Sequence, residues 1–429
     1  MVASAPLRVG IAGLGTVGAG VVKLLTENGA LLTQRAGRRI EVTAVSARRR
    51  DADRGVDLKP YAWHDDPQAL AEDPNVDVVV ELIGGDAGPA LRLIEGALGN
   101  GKSVVTANKA LLAHHGSRLG RVARQRGVGL GFEASVAGGI PVIKVLREGL
   151  VGNRISRISG ILNGTCNYIL STMRDTGRAF DDVLADAQKL GYAEADPTLD
   201  IDGYDAAHKL AILAGIAFGT PVDFERVYVE GIRHISPLDI EYAEELGYRI
   251  KLLGTAVRTE RGIEQRVHPT MVLASEAIAQ VDGVFNAVVI EGDHVGRVVL
   301  QGRGAGAGPT ASAVVADLVD LAAGRGAPAF VESTESGNGT VSMTEHDGPS
   351  YIRLMVRDQP GVIADVAAEL RNERVSMEAM IQRRHQPDGA VPVVLTTHPS
   401  KEAALSRALE RIGALDSVLE PPRMIRIEL

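Results

Sequence analysis

The sequence predicts a mixed α/β protein in three parts: a doubly wound parallel sheet, an α+β domain around a mixed sheet, and a small βαββαβ domain at the end. Three observations predict it. Over the first third, short apolar runs alternate with helical patterns, the order that builds a parallel sheet with helices on both faces. From Val227 to Leu300 the pattern changes to short alternating strands. After a stretch rich in Gly, Ser, Thr and acidic residues at 324–348, the order becomes strand, helix, strand, strand, helix, strand. The composition agrees. Glycine at 49 of 429 residues and aromatics at 3% suit α/β domains with many tight turns and suit an all-β sandwich poorly. A chain of this length holds roughly two to four domains.

Charge and cysteine use narrow the setting. A net charge of -8 supplies no overall basic field to recruit nucleic acid. The single cysteine, Cys166, excludes an internal disulfide and fits a reducing compartment. The opening MVASAPLRVGIAGLG lacks the charged n-region of a signal peptide. No apolar run is long enough to span a bilayer. The expectation is a cytoplasmic protein with neither nucleic acid nor membrane as a partner.

The first strand is Leu7 to Gly13, and it runs into GLGTVG. Gly13, Gly15 and Gly18 have G-x-G-x-x-G spacing, and an apolar helical run follows. Strand, glycine turn and helix are the context of a dinucleotide fingerprint. The first glycine permits the turn, the second lets a pyrophosphate approach, and the third lets helix and strand pack closely. Thr16 and Val17, at the helix N-terminus, join the glycines as candidate cofactor contacts. The second strand, Ile40 to Ser46, would carry an acid at its end in an NAD-specific site. Here Ser46 precedes Ala47, Arg48, Arg49 and Arg50, which favours the 2′-phosphate of NADP, with Arg48 as its contact. The bland alternative is a basic surface loop that tolerates NADP or NAD. Strands at 76–82, 103–106 and 128–132 complete the sheet, with a helix beginning near Gly88-Pro89. Ligands of such sheets lie beyond the carboxyl ends of the strands. Thr106 and Lys109 stand at one such end, although Lys109 also suits a plain helix start.

In the middle, Phe132 to Gly149 ends a strand at Glu133 and Ser135 and turns through Gly138-Gly139. Carbonyls of such a loop suit a monovalent cation and a helix N-terminus suits an anion; a plain turn is equally compatible. Arg157 to Leu170 reads as strand, Asn-Gly turn and helix. Asn163, Gly164 and Thr165 there offer a seat for a carboxylate. Cys166, followed by apolar residues, reads as packing. The stretch AQKLGYAEADPTLDIDGYDAAHK, 187–209, is polar and acidic, with Asp196-Pro197 read as a helix cap followed by a first-turn proline. It ends in a helix where Asp205, His208 and Lys209 share a face. The run LAILAGIAF that follows takes this helix into the core, so Lys209 is expected to be partly desolvated and suited to proton transfer. The alternative is an ordinary solvated i,i+4 ion pair.

These segments together resemble homoserine dehydrogenase. The resemblance rests on GLGTVG at 13–18, TANKALLA at 106–113, FEASVAGGIPVIK at 132–144, ISGILNGTCNYIL at 158–170, GYAEADPTLDIDGYDAAHK at 191–209 and GRGAGAGPTASAVVADL at 302–318. It implies reversible reduction of L-aspartate 4-semialdehyde to L-homoserine with NADP or NAD, in the biosynthesis of threonine, methionine and isoleucine. It implies Lys209 as proton donor and acceptor, with Asp205 shaping its surroundings and Lys109 beside nicotinamide and substrate. Glu194 would contact the substrate's amino end, with Thr165 and Tyr192 as further substrate contacts. Gly306 would touch the cofactor. The backbone of Glu133, Val136, Gly138 and Ile140 would hold a sodium ion. A homodimer or homotetramer is expected. The alternative is a dehydrogenase of the same architecture acting on another amino acid or semialdehyde.

The last part, from YIRLMVRD to PPRMIRIEL, has the ferredoxin-like split βαβ layout. With Asp358, Pro360 and Gly361 in its first turn it resembles an ACT domain, which implies an amino-acid effector, here threonine. A purely dimerising role is the alternative. The expected domains are a Rossmann-type NAD(P)-binding domain at 1–135 completed by 302–325, a substrate and dimerisation domain at 136–301, a linker at 326–349 and the ACT domain at 350–429. Deleting everything after 345 is expected to leave catalysis and remove threonine inhibition.

Overall fold

Apolar strands with glycine turns between them fold into a six-stranded parallel sheet. Its order is 62–64, 40–46, 7–12, 78–81, 103–106, 130–131. This computed structural model describes residues 5–330, 339–382 and 389–428; of the expected linker at 326–349, residues 331–338 lie outside them. The strand order reverses between Leu7–Ala12 and Val78–Glu81, the switch point at which such sheets bind ligands. Val9, Ile11, Val79 and Val80 are wholly buried, as continuous apolar strands covered on both faces require.

The chain divides into two compact units. The first holds 1–164, 205–227 and 285–337. It contains the parallel sheet and an antiparallel strip of Ile155–Ile161, Phe285–Gly292 and Gly296–Arg303. Its helix Ala307–Ala322 lies close against Thr16–Glu27: a Cβ on Gly20 would sit 3.2 Å from the Ala307 carbonyl. Val314, Val315 and Leu318 of that helix join the core beneath the sheet. The helix Tyr204–Phe218 is buried almost all round, as its run of Ala, Leu and Ile dictates.

The second unit holds 165–204, 228–284 and 338–429. Strands Tyr248–Thr259 and Gly262–Leu273 pair antiparallel over their whole length, longer than the apolar runs indicated. The C-terminal βαββαβ pattern forms as expected, with Val362–Asn372 and Glu402–Gly413 packed on strands Ser350–Arg357, Met377–Gln382, Ala390–Thr397 and Arg423–Glu428. One feature was not legible in the pattern. The last strand also pairs, in parallel, with Gly262–Leu273 through Thr270↔Arg426 to Val272↔Glu428. The C-terminal sheet therefore continues the sheet of residues 248–273. Ion pairs line the junction. Arg353 donates to Asp239 at 2.7 Å, and Arg426 donates to Glu402 at 2.5 Å and Glu230 at 2.7 Å. Arg266 reaches Glu428 at 3.0 Å.

Around 196–201 the expectation needs correction. Pro197 occupies the cap position and not the first turn, ahead of the four-residue helix Thr198–Ile201. Asp196 serves it by accepting from the Thr198 N–H at 3.1 Å. The turn is too short to leave a proline inside it.

Candidate functional site

The three fingerprint glycines have different surroundings. Gly13 has φ +95°, and a Cβ there would lie 2.4 Å from the Leu82 carbonyl. A Cβ on Gly18 would lie 2.0 Å from the Gly13 carbonyl, so helix and strand approach as only glycine allows. At Gly15 a Cβ would meet nothing within 4 Å. The space beside Gly15 is open, at the N-terminus of the helix Thr16–Glu27, whose first turn carries no acid. Open space facing helix N–H groups fits a pyrophosphate. Thr16 and Val17 begin that helix. Gly306, at φ +118°, heads the helix Ala307–Ala322 in the same unit.

At the end of the second strand Ser46 is buried, and its carbonyl accepts from Gly13 at 2.9 Å. No carboxylate stands there, and Arg48 is exposed. Three strands further on, Thr106 is committed to its own surroundings. Its hydroxyl donates to Glu81 at 2.6 Å and accepts from the Asn108 N–H at 3.0 Å. Glu81, wholly buried, also accepts from the N–H groups of Ile83 and Gly84. Asn108 caps the helix Lys109–Arg126 and donates to the Gly85 carbonyl at 2.6 Å. Sequence reading missed Glu81; the signal was an acid directly after the apolar run Val78–Val80.

Lys109, Asp205 and Lys209 meet, with Asn163 as a fourth member. Lys209 Nζ donates to Asp205 Oδ2 at 2.6 Å and to the Leu162 carbonyl at 2.7 Å. Asn163 Nδ2 donates to the same Asp205 oxygen at 2.8 Å, and Lys109 Nζ lies 3.1 Å from Asp205 Oδ1. The side chains of Lys209 and Asp205 are 11% and 9% exposed, so the pair is buried and not a solvated surface bridge. Burial pushes the Asp205 carboxyl up, but the charges of Lys209 and Lys109 and the hydrogen bonds from Lys209 and Asn163 outweigh it, holding the group well below the usual carboxylate range. Beside them, His208 packs its ring 4.3 Å from Phe224 and 5.8 Å from His114. Burial, and then the His114 charge, push His208 down to about 4, so it stays neutral at ordinary pH.

The loop at 132–144 is held from both sides. Glu133 is buried, and its carboxylate accepts from Ile143 and Lys144 at 2.9 and 2.8 Å, while its N–H donates to Asp317. Ala137 has φ +48°, a left-handed turn at a non-glycine residue. A Cβ on Gly139 would meet the Arg303 carbonyl at 2.4 Å. Among the described residues, no group of three or more His, Cys, Asp or Glu side chains is arranged to hold a metal. Cation binding at Glu133, Val136, Gly138 and Ile140 would thus use the backbone.

In the second unit the Thr165 hydroxyl donates to the Tyr192 carbonyl at 2.7 Å, and Tyr192 packs edge-on against Tyr168 at 4.9 Å. Glu194 is exposed, and the carbonyls of Glu194 and Ala195 accept from Gln188. Cys166 is buried with its Sγ 3.1 Å from the Asp200 carbonyl, in keeping with packing. In the C-terminal turn Gly361, at φ +101°, heads the helix Val362–Asn372.

Residues 13–133 match the family model of the homoserine dehydrogenase NAD-binding domain, 141–319 that of homoserine dehydrogenase, and 350–414 that of the ACT domain. Homoserine dehydrogenase of Pseudomonas aeruginosa is 48% identical over 432 residues, covering 99% of both chains.

The chain belongs to the homoserine dehydrogenase family.

It is an oxidoreductase of that family with an NAD-binding domain and an ACT domain. A crystal structure of a homoserine dehydrogenase from Thiobacillus denitrificans has a TM-score of 0.93 at 48% identity, covering 99% of this chain and 98% of that one. A hyperthermophilic archaeal homoserine dehydrogenase in complex with NADPH has a TM-score of 0.65 at 28% identity, covering 75% of this chain and 99% of that one. The doubly wound sheet, the mixed sheet and the ACT domain expected from sequence are all present. No helix among the described residues is long and apolar enough to cross a membrane.

Proposed function

We propose that the chain reduces L-aspartate 4-semialdehyde reversibly to L-homoserine, with Lys209 as proton donor and acceptor. One observation carries the reading: Lys209 is a buried ammonium whose charge is balanced by Asp205 and whose direction is fixed by the Leu162 carbonyl. An ammonium has three N–H donors, and two have acceptors here. The third is without a protein acceptor among the described residues, so it is available to a substrate oxygen. The bound nicotinamide cofactor supplies hydride to the aldehyde carbon. As the carbonyl oxygen gains negative charge, Lys209 stabilises it and then gives it a proton. In the reverse direction Lys209 takes the hydroxyl proton. Asp205 balances the charge of the lysine, and Lys109 adds a second cation on the other carboxylate oxygen.

Replacing Lys209 with Ala is expected to lower kcat by about 10²–10⁴-fold, the usual contribution of a positioned acid, with cofactor affinity little changed. NADPH oxidation with aspartate semialdehyde measures the first, and calorimetric titration of cofactor the second. Turnover like that of the wild type would refute the proton role.

The same reading extends to features carried by the family resemblance. Thr165, Tyr192 and Glu194 are substrate contacts, with a carboxylate seat at Asn163–Thr165 and the substrate ammonium at Glu194. The absence of an acid at Ser46, with arginines following, supports NADP over NAD. The positive φ at Ala137 and the engaged side chain of Glu133 support a backbone sodium site at 133–140. In this reading the ACT domain takes threonine as a feedback effector, and the enzyme works in threonine, methionine and isoleucine biosynthesis in the cytoplasm as a homodimer or homotetramer. Assays with and without threonine, and with NADPH and NADH, separate these points.

A further inference from the structure

Two arms of hydrogen bonds leave Glu81 and meet again at Asn108, one residue before Lys109. The first runs through Thr106, whose hydroxyl donates to Glu81 Oε2 at 2.6 Å and accepts from the Asn108 N–H at 3.0 Å. The second runs through the loop after the strand Val78–Glu81. Glu81 Oε1 accepts from the Ile83 N–H at 2.7 Å and the Gly84 N–H at 3.1 Å, and the Gly85 carbonyl accepts from Asn108 Nδ2 at 2.6 Å. Together they close a ring of Glu81, Thr106, Asn108 and residues 83–85. Asn108 Oδ1 accepts from the Leu111 N–H at 3.1 Å, which caps the helix Lys109–Arg126. Every member lies in the first compact unit.

The ring has a stiff part and a soft part. Glu81 is wholly buried, and among the described residues no cation pairs with it. Its partners are neutral donors, and releasing one would leave a buried carboxylate oxygen unpaired, which is costly. Gly84 and Gly85 have φ +85° and +84°, and a Cβ on either would meet nothing within 4 Å. Neither packing nor glycine's own backbone preference holds the chain there, so the Glu81 carboxylate does. Lys109 leaves this ring and carries its Nζ to 3.1 Å from Asp205 Oδ1. Its side chain is 41% exposed and so is little confined by packing; where the helix starts sets its reach.

We propose that Glu81 is a positioning residue for Lys109, fixing through both arms of this ring the point from which the Lys109 helix starts. This deepens the reading above, in which Lys109 adds a second cation at Asp205, and rests on it. Glu81 has no hydrogen bond or ion pair with Lys109 or Asp205, so it acts on the reaction only through Asn108. The effect is large enough to measure, because a displacement of about 1 Å at a reacting centre can cost about 100-fold in rate. Opening either arm frees one side of Asn108 and lets the ammonium of Lys109 drift from Asp205.

The test is a double-mutant cycle on the full-length chain, with kcat and KM for aspartate semialdehyde measured at each corner. Glu81→Gln keeps the shape but gives one arm a donor where it needs an acceptor. Alone it should lower kcat/KM by about 10-fold or more. In the Lys109→Ala background it should lower it by less than about twofold further, because the residue it positions is gone. Additive losses, which a role in the fold alone would give, overturn the proposal. Asn108→Asp keeps the test decisive if Glu81→Gln fails to fold. Aspartate caps a helix as well as asparagine does, but it cannot donate to the Gly85 carbonyl. Capping alone predicts wild-type kcat/KM for this variant, and that result also overturns the proposal. The ring predicts a loss of about 10-fold that again disappears without Lys109. Lys109→Ala that turns over like the wild type removes the reading of Lys109 itself, an outcome distinct from additivity.

Discussion

Substituting Asp205 with Asn removes a charge and almost no volume, so it isolates the electrostatics of the lysine cluster. In the wild type, Asp205 Oδ2 lies 2.6 Å from Lys209 Nζ and Oδ1 lies 3.1 Å from Lys109 Nζ. At an effective dielectric near 20, unit charges about 3 Å apart attract by about 5 kcal/mol. Desolvation of both partners offsets part of this, but the variant leaves the Lys209 charge buried without a counter-charge, a change that costs about 3–5 kcal/mol. The Lys109 side chain is 41% exposed and solvent screens it, so its arm adds about 1 kcal/mol or less. Urea unfolding followed by Trp63 emission reports on the unit that holds the cluster. Adding Lys209→Met to Asp205→Asn should restore part of the loss, because no orphaned charge remains. The pH dependence has a definite sign. The folded Asp205 carboxyl titrates below its ordinary value of 3.8. Its contribution is therefore complete above about pH 4 and is lost as the pH falls further. The stability gap between wild type and variant should be flat from pH 8 to 5 and narrow below about pH 4. A single variant within about 0.5 kcal/mol of wild type, the scatter of ordinary surface changes, would refute the argument.

Gly15→Ala and Gly18→Ala should fail differently: the first folds normally and binds cofactor weakly, while the second, whose Cβ would strike the Gly13 carbonyl at 2.0 Å, loses thermal stability as well. Melting curves with and without NADPH separate the two. Burial and then the Asp317 charge push Glu133 up to about 7, and burial pushes Asp317 up to about 6. Both acids bind protons more tightly folded than unfolded, so they lower stability as the pH rises from about 4.5 to about 7. Glu133→Gln should flatten the melting temperature across that window; an unchanged slope would show that Glu133 is not its source. Removing everything after residue 345, expected from sequence to be benign, should instead destabilise the second unit. It strips Thr270–Val272 of a strand partner and leaves Asp239 without Arg353. Arg353→Met alone should cost about 3–5 kcal/mol by leaving Asp239 buried and unpaired. A truncated chain that melts with the intact one would reinstate the sequence view.

What sequence shows well is whatever is local. The strands Ile40–Ser46 and Ser103–Thr106 and the helix starting at Pro89 fall where apolar runs, glycine and proline place them. The fingerprint is legible from its spacing, although its reasons differ: Gly18 answers a clash with Gly13 five residues away, Gly13 answers the Leu82 carbonyl of another segment, and Gly15 leaves open space. What sequence shows poorly is pairing at a distance. Asn163 was visible as a turn residue but not as a donor to Asp205, because 42 residues separate them. The bond from Arg54 to Leu14 spans 40 residues, and the match of Thr270 with Arg426 depends on the whole intervening chain. The βαββαβ pattern closes on itself as a sequence, so nothing in it announces that its last strand has a second neighbour.

The same distinction explains why Asp205 and Lys209 alone were ambiguous. Four-residue spacing of opposite charges describes countless solvated helix faces. What separates this pair from those is its helix, on which Ala206, Ala207, Leu210, Ala211, Ile212, Leu213 and Ala214 are all buried. A helix apolar on every side goes into the core, and it takes whatever charges lie at its first turns with it. Burial of that apolar surface drives the chain to tolerate a desolvated ammonium, and Asp205 makes the cost bearable by neutralising it. The apolar run after Lys209 and the acid before it therefore act as one device: the first removes water from the amine, and the second sets a counter-charge 2.6 Å from it. Either alone would give a different site, since a buried charge without a partner is costly and an exposed pair is screened by solvent.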